Sequence, residues 1–235
     1  DDVESRGLGD VYKRQIYMYT EAFGRASYLV SRSRGKKSTV SKALFIPLSV
    51  LEMEVEHLNK RDLHRIKETR ICFPLNDVCC DPVKNVLALF LSEVLFRVVK
   101  DTEPDPRLFD YLYESIHLLE YADKGIANFH MVFLLGLLHH LGIFPNMESH
   151  RVGYYFDMLN GVFTDHIPMH RHYLNKVESA FFSRLLRISF ENMSLYGFSR
   201  QERVRIIHRI LEYYCLHLPD FPEIKSLSVM QSLFD

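Results

Sequence analysis

The chain has 235 residues, 47% of them hydrophobic and 25% charged, with a formal net charge of −1. That length can bury one large core or two small ones, and the composition is that of a globular protein, not a disordered or fibrous one. Near-neutral charge excludes a polycation, so any nucleic-acid binding must come from a local separation of charge. Such a separation exists. Residues 16–71 hold eleven Lys/Arg against six Asp/Glu, and the rest of the chain is balanced or acidic. The four cysteines, Cys72, Cys79, Cys80 and Cys215, have no regular spacing, which argues against a disulfide framework and suits a reducing compartment. No secretory signal is visible, and the longest apolar run, residues 131–138, is too short to span a bilayer. A cytoplasmic protein with no membrane partner is the expectation.

Residues 1–15 begin without Met and show neither helical nor strand periodicity. They are expected to be a non-native or disordered leader. Residues 16–20 and 26–30 are rich in Tyr, Ile, Leu and Val, which suit a pleated half-buried surface, and Gly24 between them can take a positive φ. From Arg25 to Lys42 there is no acidic residue. Arg25, Arg32, Arg34, Lys36, Lys37 and Lys42 alternate with small hydroxyl residues around Gly35. Cations and hydroxyls in this pattern fit a phosphate backbone, although a solvated charged loop has the same composition. Leu51, Met53 and Val55 alternate with Glu52, Glu54 and Glu56, the period-two pattern of a strand with one wet face. Residues 63–73 read as a further strand carrying Arg65, Lys67 and Arg70. Short strands and one long basic loop predict a small barrel over residues 16–75, an OB-fold or an SH3-like barrel.

Beyond a boundary at residues 74–81 the pattern turns helical, predicting an all-α domain over residues 81–235 and an α+β chain. Asp81-Pro82 and Asp105-Pro106 each pair a cap with proline at the first helical position. Residues 126–141 are apolar almost all round and predict a central buried helix stopped by Gly142 and Pro145. Residues 146–173 read as irregular, with a short helix at 154–159. Residues 176–196 predict an amphipathic helix with Val177, Phe181, Leu185 and Ile188 inside and Arg184 and Arg187 outside. Ser199-Arg200-Gln201-Glu202 is a capping box opening another helix, and Pro219 ends it.

No phosphate-binding loop, dinucleotide fingerprint or catalytic elbow is present. His150, His166, His170 and His172 invite a metal reading, with His139-His140 upstream, but no cysteine lies nearby and no carboxylate frame closes the set. A metal enzyme built on those four histidines is the weaker reading. Cys79-Cys80 are too close for an ordinary bridge. Tyr17, Tyr19, Phe23 and Tyr28 interleave with cations as stacking platforms for single strands do, and core tyrosines alternate in the same way. No catalytic set emerges, so a binding protein and not an enzyme is expected.

Thr20-Glu21, Gly24-Arg25, the Ser/Arg/Lys loop, Ala43-Leu44-Phe45-Ile46-Pro47-Leu48-Ser49 and Leu51-Glu52 resemble the N-terminal half of the RecO family of DNA repair and recombination mediators. Phe133-Leu134-Leu135-Gly136-Leu137-Leu138-His139-His140-Leu141-Gly142-Ile143-Phe144-Pro145 resembles its central helix, and His217-Leu218-Pro219 with Lys225-Ser226-Leu227 its last helices, in the form of the Bacteroidetes branch. The resemblance runs from about residue 16 to the end. It implies an OB-fold followed by a helical domain, with binding and annealing of single- and double-stranded DNA. It also implies docking of the C-terminal tail of the single-stranded DNA-binding protein, partnership with RecR, and help in loading RecA. By this resemblance Arg25, Arg32, Arg34, Lys36, Lys37 and Lys42 would meet phosphates, and Arg184 and Arg187 would rim the partner's groove. Two departures stand out. The four zinc-holding cysteines of many members are absent from residues 147–173, so no cofactor is expected. The family's first strand should precede residue 16, where residues 1–15 do not resemble it. A helical adaptor without DNA binding is the alternative function.

Overall fold

The structure, a computed structural model, describes residues 13–31, 44–57 and 62–233. Four strands come first: β1 (Lys13–Thr20), β2 (Gly24–Ser31), β3 (Leu51–Glu56) and β4 (Leu63–Ile71). They form one sheet in the order β1-β2-β4-β3. The β1–β2 and β3–β4 pairs are antiparallel, and β2–β4 is parallel. Among the described residues this sheet is open and does not close into a barrel. β1 starts at Lys13, three residues earlier than its periodicity shows, because Lys13 to Gln15 pair with Leu29 to Ser31.

Alternation decides which side chains the sheet buries. Ala26, Tyr28, Val30 and Ile66 form the core of this unit, with Ile16, Met18, Phe45, Met53 and Val55 packed against them. Gly24 joins β1 to β2 at φ 57. A Cβ there would lie 2.4 Å from the Glu103 carbonyl oxygen, so both the backbone twist and the close approach require glycine.

The helical region holds α1 (Asn76–Cys80), α2 (Pro82–Val98), α3 (Pro106–Tyr121), α4 (Ile126–His140), α5 (Lys176–Leu185), α6 (Arg200–His217) and α7 (Ser226–Leu233). The chain is thus α+β, a strand-rich N-terminal part followed by helices. The proline starts behave as read. Asp81 accepts from Val83 N and Lys84 N, and Asp105 from Arg107 N and Leu108 N. Ser199 and Glu202 form the expected capping box, and Asn175 and Glu178 form another. α4 is buried along most of its length, including Phe129, Met131, Phe133 and Leu134. Each such side chain contributes roughly 1.5–3 kcal/mol through burial.

Residues 146–173 depart from expectation. Instead of a short helix they hold β5 (Tyr155–Asp157) and β6 (Val162–Thr164), which with β7 (Tyr173–Leu174) make an antiparallel sheet in the order β6-β5-β7. Strands of two or three residues are too short to show a period. The turn between β5 and β6 is closed by Asp157, whose carboxylate accepts from Leu159 N, Asn160 N and Asn160 Nδ2. α5 also stops early, at Leu185, where Asn192 accepts from Ser189 N and donates to the Arg187 carbonyl. Its buried face carries Ser179, Phe182, Ser183 and Leu185, so Val177 and Phe181 are exposed rather than inside.

The chain separates into two compact units, and the separation is discontinuous. One unit is Asp1–Asn76 with Val99–Tyr113; the other is Asp77–Val98 with Glu114–Asp235. The first unit reclaims a segment from beyond α2. Arg25 N donates to Asp101 O at 3.0 Å, Arg25 Nη1 to Val99 O at 2.9 Å, and the Tyr19 hydroxyl bonds both backbone groups of Asp105.

Candidate nucleic-acid interface

Of the six cations expected to meet phosphates, Arg25 alone lies among the described residues; Arg32, Arg34, Lys36, Lys37 and Lys42 lie outside them. Arg25 is the second residue of β2, and its guanidinium reaches the Val99 carbonyl and lies 5.2 Å from the centre of the Tyr17 ring. Its first role is therefore to hold the Val99 segment to the sheet. The chain leaves β2 at Ser31 towards the basic stretch.

The four interleaved aromatics take four different roles. Tyr28 is core, 1% exposed. Tyr19 is tied to Asp105. Phe23 stacks on His57 at 3.8 Å with nearly parallel planes, and His57 stacks in turn on His64 at 3.9 Å. Burial, with His57 adding its charge, pushes the His64 imidazole below its usual range. Tyr17 is the one left half open, 50% exposed beside Arg25.

Across the sheet the cations are unevenly compensated. On the β3 side, Lys67 pairs with Glu54 at 3.3 Å, and Arg70 holds Glu52 through two hydrogen bonds. The Arg70 hydrogen bond keeps the Glu52 carboxyl below the ordinary range. Arg65 stands exposed on β4, opposite Glu56. The sequence names both Tyr17 and Arg65, but it cannot separate Tyr17 from the other three aromatics.

Arg184 and Arg187 are exposed, in the last turn of α5 and just after it. Phe181, one turn from Arg184, meets Phe198 edge-on at 5.9 Å, and Phe198 lies 5.5 Å from Tyr196. Leu195 and Val177 are about four-fifths exposed nearby in sequence. A second recess, missed from the sequence, is lined by His130, Arg200, Arg203, Val204, Ile207, Met230 and Gln231. Two arginines there border an apolar floor.

The histidines do not converge. His166 bonds Asp165 and Thr164; His170 Nε2 lies 3.2 Å from Asp157; His172 Nδ1 lies 3.5 Å from Glu212; and His150 packs edge-on against Phe163. His139 stacks on Phe144, and burial with the neighbouring His140 lowers its pKa. Among the described residues no group of three His, Cys, Asp or Glu could hold a metal.

A four-stranded sheet followed by a helical unit defines a protein of the α+β class. Comparison with known proteins places it further. The family model described as recombination protein O C terminal matches residues 80–227. The DNA repair protein RecO of Bacteroides fragilis is 44% identical over 221 residues, and that of Azobacteroides pseudotrichonymphae 41% over 220, each alignment covering 94% of this chain and 91% of the relative. The DNA repair protein RecO of Flavobacterium psychrophilum is 33% identical over 221 residues, covering 93% and 91%. The chain belongs to the RecO family. No helix among the described residues is long and apolar enough to cross a membrane.

Proposed function

We propose that this chain is a non-enzymatic mediator of DNA repair and homologous recombination. It binds single- and double-stranded DNA, promotes annealing, and with RecR helps load the recombinase onto strands coated by the single-stranded DNA-binding protein. The observation that carries this is family likeness along almost the whole chain, joined to a stretch from Arg25 to Lys42 without one acidic residue. Arg25, Arg32, Arg34, Lys36, Lys37 and Lys42 meet phosphates. The acidic tail of the single-stranded DNA-binding protein docks on the helical unit, with Arg184 and Arg187 as its basic rim and the contiguous Phe181, Phe198 and Tyr196 rings as the apolar surface. No metal or cofactor takes part, and the exposed free cysteines suit the cytoplasm.

The test is fluorescence anisotropy with a labelled single strand across a salt series. Substituting Arg34, Lys36 and Lys37 together by Ala should weaken binding and lower the salt slope by about 0.7 for each phosphate no longer neutralised. An unchanged slope would remove this loop from the interface. No binding by the parent protein at low salt, with the partner's tail still captured, would favour a helical adaptor.

A further inference from the structure

We infer that Ile167-Pro168-Met169, in the middle of the connection between β6 and β7, is an apolar wedge that enters a base step of duplex DNA. This rests on the DNA-binding reading and adds to it a contact made by the helical unit, separate from the N-terminal sheet.

The proline stiffens this connection by fixing its own φ, and the chain is tied down on both sides of it. On the β6 side the Thr164 hydroxyl lies 2.8 Å from His166 Nδ1, which also meets the Asp165 carboxylate at 3.0 Å. On the β7 side His170 Nε2 lies 3.2 Å from the Asp157 carboxylate and His172 Nδ1 lies 3.5 Å from Glu212. The His172 carbonyl accepts from Met158 N at 3.1 Å. Between these ties Met169 is wholly exposed and Ile167 58% exposed. Val152, also fully exposed, precedes Tyr155 by three residues, and Ile167 follows Thr164 by three. Tyr155 and Thr164 are partners in the antiparallel pair, so Val152 and Ile167 leave the small sheet at the same end. A single exposed apolar side chain is ordinary. A fixed tip that holds several of them in water forgoes their burial until something covers them.

Charge selects the occupant. Residues 148–176 carry the cations Arg151, Arg171 and Lys176 and the acids Glu148, Asp157 and Asp165. Asp157 is engaged by its own turn and Asp165 by His166, which leaves Glu148 as the one uncommitted carboxylate of the three. None of the three cations meets a carboxylate among the described residues. The exposed Arg151 guanidinium donates to the Glu148 and His150 backbone carbonyls at 3.0 and 2.7 Å. Lys176 Nζ lies 5.2 Å from the centre of the Tyr155 ring, and Arg171 is exposed. Arg151 adjoins Val152 in sequence, and Arg171 stands two residues beyond Met169, so the apolar tip is bracketed by uncompensated arginines. Their guanidinium forks match phosphate oxygens, and Ile, Met and Pro are side chains that unstack a base step. A peptide partner would need a groove to lie in, whereas a protruding tip has to enter its partner. A stacked base step between two phosphate rows is an anionic partner that opens to admit it, and a tip already held in shape loses little entropy on entry.

The experiment uses the full chain and a fluorescein-labelled duplex of repeating TA steps, which unstack readily. Ile167→Ser combined with Met169→Ser should weaken binding by about tenfold with the salt slope unchanged, because an apolar wedge releases no counterions. Arg151→Ala combined with Arg171→Ala should instead lower the slope, by about 0.9 for each phosphate no longer neutralised. In the same duplex carrying the fluorescent adenine analogue aminopurine, the parent should raise the emission on binding, as unstacking relieves its quenching, and the serine variant should not. That signal is read on the parent and does not depend on any variant folding well. If the parent binds while the serine variant binds equally, or while the aminopurine emission is unmoved, the wedge is refuted and the DNA-binding reading stands on the N-terminal basic stretch. Loss of the partner tail's capture by the serine variant, with duplex binding intact, would also overturn it, by making the tip a protein-docking surface. If the parent shows no binding at low salt, the DNA-binding reading and the wedge fall together.

Discussion

His130 sits on α4 with 1% of its surface exposed, its ring edge-on to Phe90 at 6.3 Å. Burial, joined by the positive charge of Arg203, pushes its pKa down to about 3. The fold therefore holds the neutral imidazole, whereas the unfolded chain takes up a proton near its ordinary 6.5. The stability contributed by the neutral form is complete above about pH 6.5 and is lost progressively as pH falls towards 3, by up to about 1.4 kcal/mol per pH unit. Urea unfolding at several pH values should show this decline, and His130→Leu should flatten it; an identical profile in the variant would assign the acid sensitivity elsewhere. Such a histidine is nearly invisible in sequence, since a lone polar letter inside an apolar helix does not reveal its surroundings. Lys84 makes the same point. It lies in register with Leu87, Leu91 and Val98 but is skipped when an apolar face is read by letter, yet it is buried and donates to the Glu120 carbonyl at 2.6 Å.

Among elements, α7 depends on a residue from far up the chain. The Glu93 carboxylate accepts from Lys225 N, Ser226 N and Ser226 Oγ, capping the helix from α2. Partial burial works to raise its pKa, but the Ser226 and Lys225 hydrogen bonds and the Arg97 charge outweigh it and hold the carboxyl below the ordinary range. The charged form is favoured in the fold, so this contribution is present above about pH 4.5 and disappears in acid. Glu93→Ala should lower stability by about 1–2 kcal/mol, with faster amide exchange concentrated in α7. Uniformly faster exchange across the helical unit would show that α7 is not a separable element. Caps made by neighbours in sequence were legible at Asp81, Asp105 and Ser199, because the partner lies two or three residues away. This one was not, since nothing local marks Glu93. β5 to β7 escaped for a different reason: their register comes from turns and from packing of Phe156 on Phe163 and Phe182, not from a repeat.

At the scale of the whole molecule, strands followed by helices were readable from the change in period, and the family resemblance was legible along most of the chain. The discontinuity was not. A boundary drawn at residues 74–81 is sensible by composition but leaves out the residues that Gly24, Tyr19 and Arg25 hold. A fragment ending at Asn76 keeps all four strands yet lacks the Val99–Tyr113 segment of its unit. It should show poor amide dispersion by NMR, improved when a peptide covering that segment is added. A well-dispersed spectrum without the peptide would show that the segment is an accessory.

That arrangement also has a temporal side. A ribosome delivers the sheet first, then all of α2, and only afterwards the stretch that closes around Gly24. At about 5–20 residues per second the wait lasts several seconds. Throughout it the nascent sheet has every strand but not its fastening, and its turn at Gly24 stays open to whatever chaperone stands at the tunnel mouth.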